Sequence, residues 1–97
     1  MTRPWLFVVE ATIDPSVEDE WNTFYDEEHL PEVVACPGFL SGRRYMTEDD
    51  SGQRRYLAVY DVESPQVFET PEFQKATGWG KFKQYVQDKD ALYQGRA

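Results

Sequence analysis

An α+β fold of element order β-α-β-β-α-β is what the sequence predicts, on three observations. Trp5 to Ile13 is a nearly unbroken apolar run, rich in aromatic and β-branched residues and too short for an ordinary globular helix. Phe39 to Thr47 and Arg54 to Val62 flank the polar stretch Glu48-Asp49-Asp50-Ser51-Gly52-Gln53 as the two arms of a hairpin. Asp14-Pro15-Ser16 and Thr70-Pro71-Glu72 are helix-start signals, combining a capping side chain, a proline and early acids.

In the first strand Trp5, Phe7, Val9, Ala11 and Ile13 share one face, and Leu6, Val8, Glu10 and Thr12 the other. Both faces are largely apolar, so both should be covered. Ser16 is expected to cap the first helix, with Glu18, Asp19 and Glu20 complementing the positive end of its dipole. The helix should reach at least Glu28. Pro31 disfavours helical backbone at Leu30 and removes a donor, so a kink or a short second piece ending near Ala35 is expected, closed by Cys36-Pro37-Gly38. In the third strand Tyr56, Ala58, Tyr60 and Val62 alternate with Arg55, Leu57, Val59 and Asp61. Ser64-Pro65 opens a short helical turn, Pro65 to Glu69. Thr70 then starts a helix predicted to run to about Val86, interrupted in pattern by Gly78 and Gly80 around Trp79. Asp90 to Gly95 reads as the last strand. This order is the ferredoxin-like arrangement, a four-stranded antiparallel sheet with both helices on one face. The opposite face, with Leu6 and Val8, would remain as an apolar patch. A second copy stacked on it would cover it, so a homodimer through the sheet face is expected.

Composition bounds the function classes. A chain of 97 residues holds one core, and residues 1–97 are expected to form a single domain. Its net charge of -8 argues against nucleic acid and anionic membrane surfaces as partners. No apolar run is long enough for a membrane span and no charged-then-apolar leader opens the chain, so neither a membrane segment nor a signal peptide is expected. The one cysteine, Cys36, allows no internal disulfide and fits a reducing cytoplasm. It reads as a small buried apolar residue rather than a reactive thiol, since the nearest cations in sequence are Arg43 and Arg44. Aromatic residues make up 15% of the chain, enough to line a pocket as well as fill a core.

The unusual chemistry is concentrated between Trp21 and Pro31. His29 is the only histidine, and Asp26, Glu27, Glu28 and Glu32 lie within three positions of it. Helical spacing puts Trp21, Tyr25, Glu28 and His29 on one face. Imidazole exchanges protons near neutral pH, its ordinary pKa being about 6.5. Two readings follow: a partly exposed histidine at a helix end, or an inward acid-base group. A metal site would need carboxylates alone beside His29, and none is expected. Gly78-x-Gly80 lacks the lysine and serine of a phosphate loop. No Gly-x-Ser-x-Gly elbow is present; Ser16, Ser41, Ser51 and Ser64 stand at caps and turns. What remains is acid-base work by His29 on a ligand held among aromatic rings. Glu28 or Asp26 would orient the imidazole, and Tyr25, Tyr60 or Arg44 would stabilise an enolate or phenolate oxygen. Arg43 and Arg44 alternate, so only one of them faces a pocket. Trp79 is either a ring brought over the pocket or a core anchor for the second helix.

The run Trp21-Asn22-Thr23-Phe24-Tyr25-Asp26-Glu27-Glu28-His29-Leu30-Pro31, followed by Cys36-Pro37-Gly38-Phe39, resembles the signature of the dimeric α/β-barrel superfamily and, within it, the EthD-like small bacterial proteins. Arg55 to Tyr60, Ser64-Pro65 and Thr70-Pro71-Glu72-Phe73 extend the likeness over most of the chain. The resemblance implies a pocket between helices and sheet in each subunit. In relatives that pocket serves cofactor-free monooxygenases of polycyclic aromatics, polyketide cyclases, lactone isomerases and haem-degrading enzymes. Carried over by position, His29 matches the helix-borne histidine, with Tyr25 and Trp21 one and two turns earlier, and Trp5, Phe7 and Val9 would form the pocket floor. The first strand lacks the asparagine of the haem-degrading branch. Phe73 stands where plant-type cyclases carry a second histidine. Both of those activities in their known forms are weakened.

Two function classes follow. One is a small cofactor-independent enzyme, a cyclase, isomerase or monooxygenase for an aromatic or polyketide-like substrate, with His29 and Tyr25 catalytic. Trp5, Phe7, Val9, Trp21, Arg44, Tyr60, Phe73 and Trp79 would bind the substrate, without metal or cofactor. The other is a non-catalytic ligand-binding or accessory protein on the same dimeric scaffold.

Overall fold

The computed structural model describes residues 4–96. Four strands, β1 (Trp5–Ile13), β2 (Phe39–Glu48), β3 (Arg54–Val62) and β4 (Val86–Gln94), form one sheet in the order β2-β3-β1-β4. Each neighbouring pair is antiparallel. This is the ferredoxin-like topology that the alternation in the sequence predicts. Phe7, Val9, Ala11 and Ile13 of β1 and Tyr56, Ala58, Tyr60 and Val62 of β3 are buried on one face. There they pack with Trp21, Tyr25 and Val33 from the first helical segment and Val67, Phe73 and Phe82 from the second.

The first helical segment starts differently from the expectation. Asp14, not Ser16, is the capping side chain: its carboxylate accepts from the Ser16 backbone N–H at 2.9 Å and the Ser16 hydroxyl at 2.7 Å. A 3₁₀ turn, Pro15–Val17, leads into α1 (Glu18–Phe24). Of the kink or short second piece expected at Pro31, the structure has the second piece: a wide π turn, Tyr25–His29, leads into α2 (Leu30–Val34), which ends at Ala35. In this turn the Leu30 N–H reaches back five residues to the Tyr25 carbonyl. A regular α-helix would press the Pro31 ring against the carbonyl of Glu27; the extra residue in the turn relieves that contact. Lengthening the turn keeps His29 on the face of Tyr25 but swings Glu28 out to solvent. The predicted grouping of Glu28 with Trp21, Tyr25 and His29 is thereby corrected.

The second helical segment is shorter than predicted. After the 3₁₀ turn Pro65–Glu69, Thr70 caps α3 (Pro71–Ala76) by accepting from the Phe73 N–H at 3.2 Å. Regular helix stops there. Gly78 and Gly80 both hold positive φ, 99° and 56°, which any other residue adopts at a cost, so the chain turns sharply around Trp79. A 3₁₀ segment, Gly80–Tyr85, then feeds β4. β4 begins at Val86 rather than Asp90, because all nine residues of β1 find a partner on it, from Ile13↔Val86 to Trp5↔Gln94.

Candidate functional site

Burial selects what stays on the helix-facing side, and the two ends of that side differ. The first helical segment packs on β2 and β3, with Tyr25 against Tyr60 and Trp21 against Tyr56, whereas Phe7 of β1 meets Phe68 and Phe73 of the second segment. Between them opens a cleft of about 230 Å³. Phe7 and Val9 form its floor, Tyr25, His29 and Val33 the helical wall, and Phe73, Thr77, Gly78 and Trp79 the opposite lip. Tyr60 lies at its base, and Asp88 and Asp90 close it on the β4 side.

His29 is 7% exposed and its ring is enclosed by other rings. Phe24 stacks on it at 5.5 Å and 18°, Trp79 leans against it at 5.2 Å, and Tyr25 meets it edge-on at 4.9 Å. None of the described side-chain hydrogen bonds involves the imidazole, so its nitrogens are available to whatever enters the cleft. Burial, with a smaller contribution from the Arg44 charge, pulls its pKa down to about 4. At neutral pH the ring is uncharged. The orienting role expected of Glu28 or Asp26 falls away: Glu28 is exposed, and Asp26 pairs with Arg44 at 2.7 Å.

Beside the imidazole the Tyr25 and Tyr60 hydroxyls form a buried pair 3.3 Å apart. Burial raises both phenol pKa values above their ordinary range; for Tyr25 the neighbouring Tyr60 adds to the effect. Both are neutral donors at physiological pH. One hydroxyl proton is used between them and the other is free for a ligand oxygen.

Of the residues singled out in the sequence, His29, Tyr25, Phe7, Val9, Tyr60, Phe73 and Trp79 line the cleft together. Trp5, Trp21 and Arg44 do not. Trp21 is fully buried behind Tyr25, edge-on to it at 5.5 Å, and belongs to the core. Trp5 lies half-buried at the far end of β1, beyond the cleft floor. The Arg44 guanidinium covers the other flank of Tyr25, 4.1 Å from the ring centroid, and donates to Asp26 and to Asn22 at 2.9 Å. Trp79 stands between the two places considered for it, its ring centroid 5.8 Å from that of the core Trp21 and 5.2 Å from that of His29, on the lip of the cleft. Val33, Thr77, Asp88 and Asp90 were missed. The two aspartates become legible once the register of β4 is known, since they pair with Ala11 and Val9 and so share their face. Among the described residues, no group of three or more His, Cys, Asp or Glu side chains is placed to hold a metal ion. No helix among them is long and apolar enough to cross a membrane.

The family described as domain of unknown function DUF4286 matches residues 5–91. The chain belongs to that family. No curated protein matches it. Among solved structures this DUF4286 chain is similar to SnoaB, a cofactor-independent oxygenase from Streptomyces nogalater: TM-score 0.70, 14% identity, 98% of this chain and 95% of that one covered. It is similar also to an EthD family protein from Bacillus halodurans, with TM-score 0.67, 12% identity and coverage of 90% and 96%. A dimeric ferredoxin-like protein from an uncultured marine organism aligns at TM-score 0.64 and 12% identity over 95% and 94%. At these identities the likeness establishes a shared ferredoxin-like fold.

Proposed function

We propose that this protein is a small cofactor-independent enzyme that works on an aromatic or polyketide-like substrate by acid-base chemistry at His29. The observation that carries the reading is an uncharged, buried imidazole with unbonded nitrogens, facing a cleft of rings beside a neutral tyrosine pair. A ligand seated on Phe7 and Val9 presents an acidic C–H or phenolic O–H to His29. The imidazole takes the proton, the electron pair of that bond moves onto the substrate oxygen, and the free tyrosine proton hydrogen-bonds the developing oxyanion. Return of the proton to another carbon completes an isomerisation; in a cyclisation the carbanion attacks a carbonyl carbon of the same molecule, the C=O pair moves to its oxygen, and His29 returns the proton to that oxygen. In an oxygenase the carbanion reacts instead with dioxygen. Its CH₂ carbon is oxidised to a carbonyl, one oxygen atom entering the product and the other leaving as water. The fold shared with SnoaB, itself a cofactor-independent oxygenase, supports this last possibility.

A histidine held near pKa 4 is a weak base at rest, and that observation favours a second reading, a binding protein without turnover. The oxyanion formed in the reaction counters it, because a negative charge beside His29 stabilises the imidazolium. The decisive comparison is wild type against His29→Gln on a panel of hydroxylated two- and three-ring aromatics. Loss of about 10²–10⁴-fold in rate, with binding and melting temperature kept, is the expected result. Full activity in His29→Gln overturns the mechanism; tight binding with no turnover by either protein establishes the binding reading. We also propose that the protein works as a homodimer through the sheet face opposite the helices.

A further inference from the structure

The cleft has an acidic end that the proposed chemistry leaves unused. Asp88 and Asp90 stand two residues apart on β4, opposite Ala11 and Val9, on the same side of the sheet as the cleft floor. No lysine or arginine lines the cleft. Lys89, between the two aspartates, points to the other sheet face by strand alternation, and Arg44 is held behind Tyr25 by Asp26 and Asn22. Neither aspartate takes part in an ion pair among the described residues. At the opposite end of the same cleft His29, more than nine-tenths buried, has no hydrogen-bond partner among them. Two adjacent carboxylates repel when both are ionised, and burial together with Asp88 holds the Asp90 carboxyl above the ordinary carboxylate range. A cation placed between them relieves that repulsion. The walls in between are aromatic, Tyr25, Trp79 and Phe73, and the face of an aromatic ring attracts cations.

We propose that the cleft selects ligands with a flat aromatic body and a protonated amine, the ring stacked between Trp79 and Phe7 and the ammonium held by Asp88 and Asp90. Carboxylate-bearing ligands of the same shape are excluded. The proposal rests on the reading of this cleft as the substrate site and adds to it a charge preference. A volume of about 230 Å³ lies below the usual range for drug-sized ligands, so small fused-ring compounds are the fitting size.

Three isosteric probes test it by titration calorimetry on the intact protein: 2-naphthylmethylamine, 2-naphthol and 2-naphthoate. The amine is expected to bind more tightly than the carboxylate by roughly tenfold or more, about 1.4 kcal/mol, with the neutral naphthol between them. In the Asp88→Asn/Asp90→Asn double variant the amine should lose that advantage while naphthol binding stays within about twofold. If naphthol binds but the carboxylate equals or beats the amine, the charge preference is wrong and the cleft still stands as the site. A preference that survives the double variant also overturns the proposal, since the ammonium is then held elsewhere. If none of the three binds, the charge preference and the cleft reading fall together.

Discussion

The hydroxyl oxygens of Tyr25 and Tyr60 lie 3.3 Å apart, buried between the π turn and β3. That is long for two hydroxyls, whose usual separation is about 2.7–2.8 Å. A stronger acceptor arriving beside them, such as a ligand phenolate, competes well for either proton. Tyr60→Phe removes one hydroxyl and leaves Tyr25 without this partner. The variant should lose about 0.5–1.5 kcal/mol in urea denaturation, the ordinary worth of one hydrogen bond. Its affinity for 2-naphthol should fall as well. Unchanged naphthol binding would show that the tyrosine pair holds the core together and does not meet the ligand.

His29 gives the protein a defined pH response. Its folded pKa is about 4, below the ordinary 6.5, so between these values the unfolded chain binds the proton that the folded chain refuses. The stability it contributes is complete above about pH 6.5 and is lost as pH falls toward 4, at no more than about 1.4 kcal/mol per pH unit. Below that the two states bind alike and the slope from this residue ends. Asp90 works in the opposite sense, its raised pKa favouring the folded state as pH falls. Melting temperatures of wild type and His29→Gln across pH 3.5 to 7.5 should therefore stay close at the neutral end, where both side chains are uncharged, and separate at the acid end, where only the wild type loses stability through this residue. Parallel curves would mean that His29 is solvated.

How much of this was readable beforehand differs from element to element. β1 and β3 were legible to the residue because their alternation records a face buried against helices. His29 and Tyr25 were legible as a pair because i and i+4 stay together even in a π turn. β4 was legible from Asp90 onward but not before it, since Gln87-Asp88-Lys89 is polar on both faces and becomes strand only by pairing with β1. The acidic end of the cleft was hidden with it. Lys81-Phe82-Lys83 looks helical in isolation, yet the positive φ of Gly78 and Gly80 breaks the run that it was expected to continue. Arg44 was placed on the correct face and the wrong side of a ring; strand alternation fixes a face but not which flank of Tyr25 a long side chain takes.

Arg44 accordingly belongs to the scaffold of the site. Its guanidinium covers Tyr25 at 4.1 Å, Trp21 at 5.0 Å and Tyr56 at 5.2 Å, and its side chain is only 10% exposed. Arg44→Met keeps the aliphatic stem but removes the charge and two hydrogen bonds. Asp26 is 61% exposed, so water takes over its solvation. Destabilisation of about 1–3 kcal/mol is expected, from the lost cation–π contact and charged hydrogen bonds. The same change removes the positive charge that helps to depress the His29 pKa, so that pKa should rise toward 6.5. As the only histidine in the chain, His29 gives one imidazole resonance set by NMR, and its titration checks this without ambiguity. An unmoved midpoint would leave burial as the whole cause.

The outer face of the sheet supplies the last prediction. Leu6 and Val8 of β1 stand beside Leu57 and Val59 of β3 in register, Leu6↔Asp61 and Val8↔Val59, and none of these apolar side chains faces a helix. Tyr45 on β2 and Tyr93 on β4 extend the patch and are 51% and 58% exposed. A contiguous patch across all four strands is more than a solitary soluble domain ordinarily leaves in water. A second copy related by a twofold axis would cover both patches at once and close the assembly there. Light scattering at micromolar concentration should thus give twice the chain mass of 11.4 kDa. Val59→Lys, at the centre of the patch, should shift the protein toward the monomer, because each interface would bury two opposed ammonium groups. The cleft lies on the other side of the sheet, so 2-naphthol affinity measured on the monomeric variant should stay near that of the wild type. A wild-type monomer at these concentrations would end the dimer proposal, and lost binding in a folded Val59→Lys monomer would mean that the cleft needs the second subunit to keep its shape.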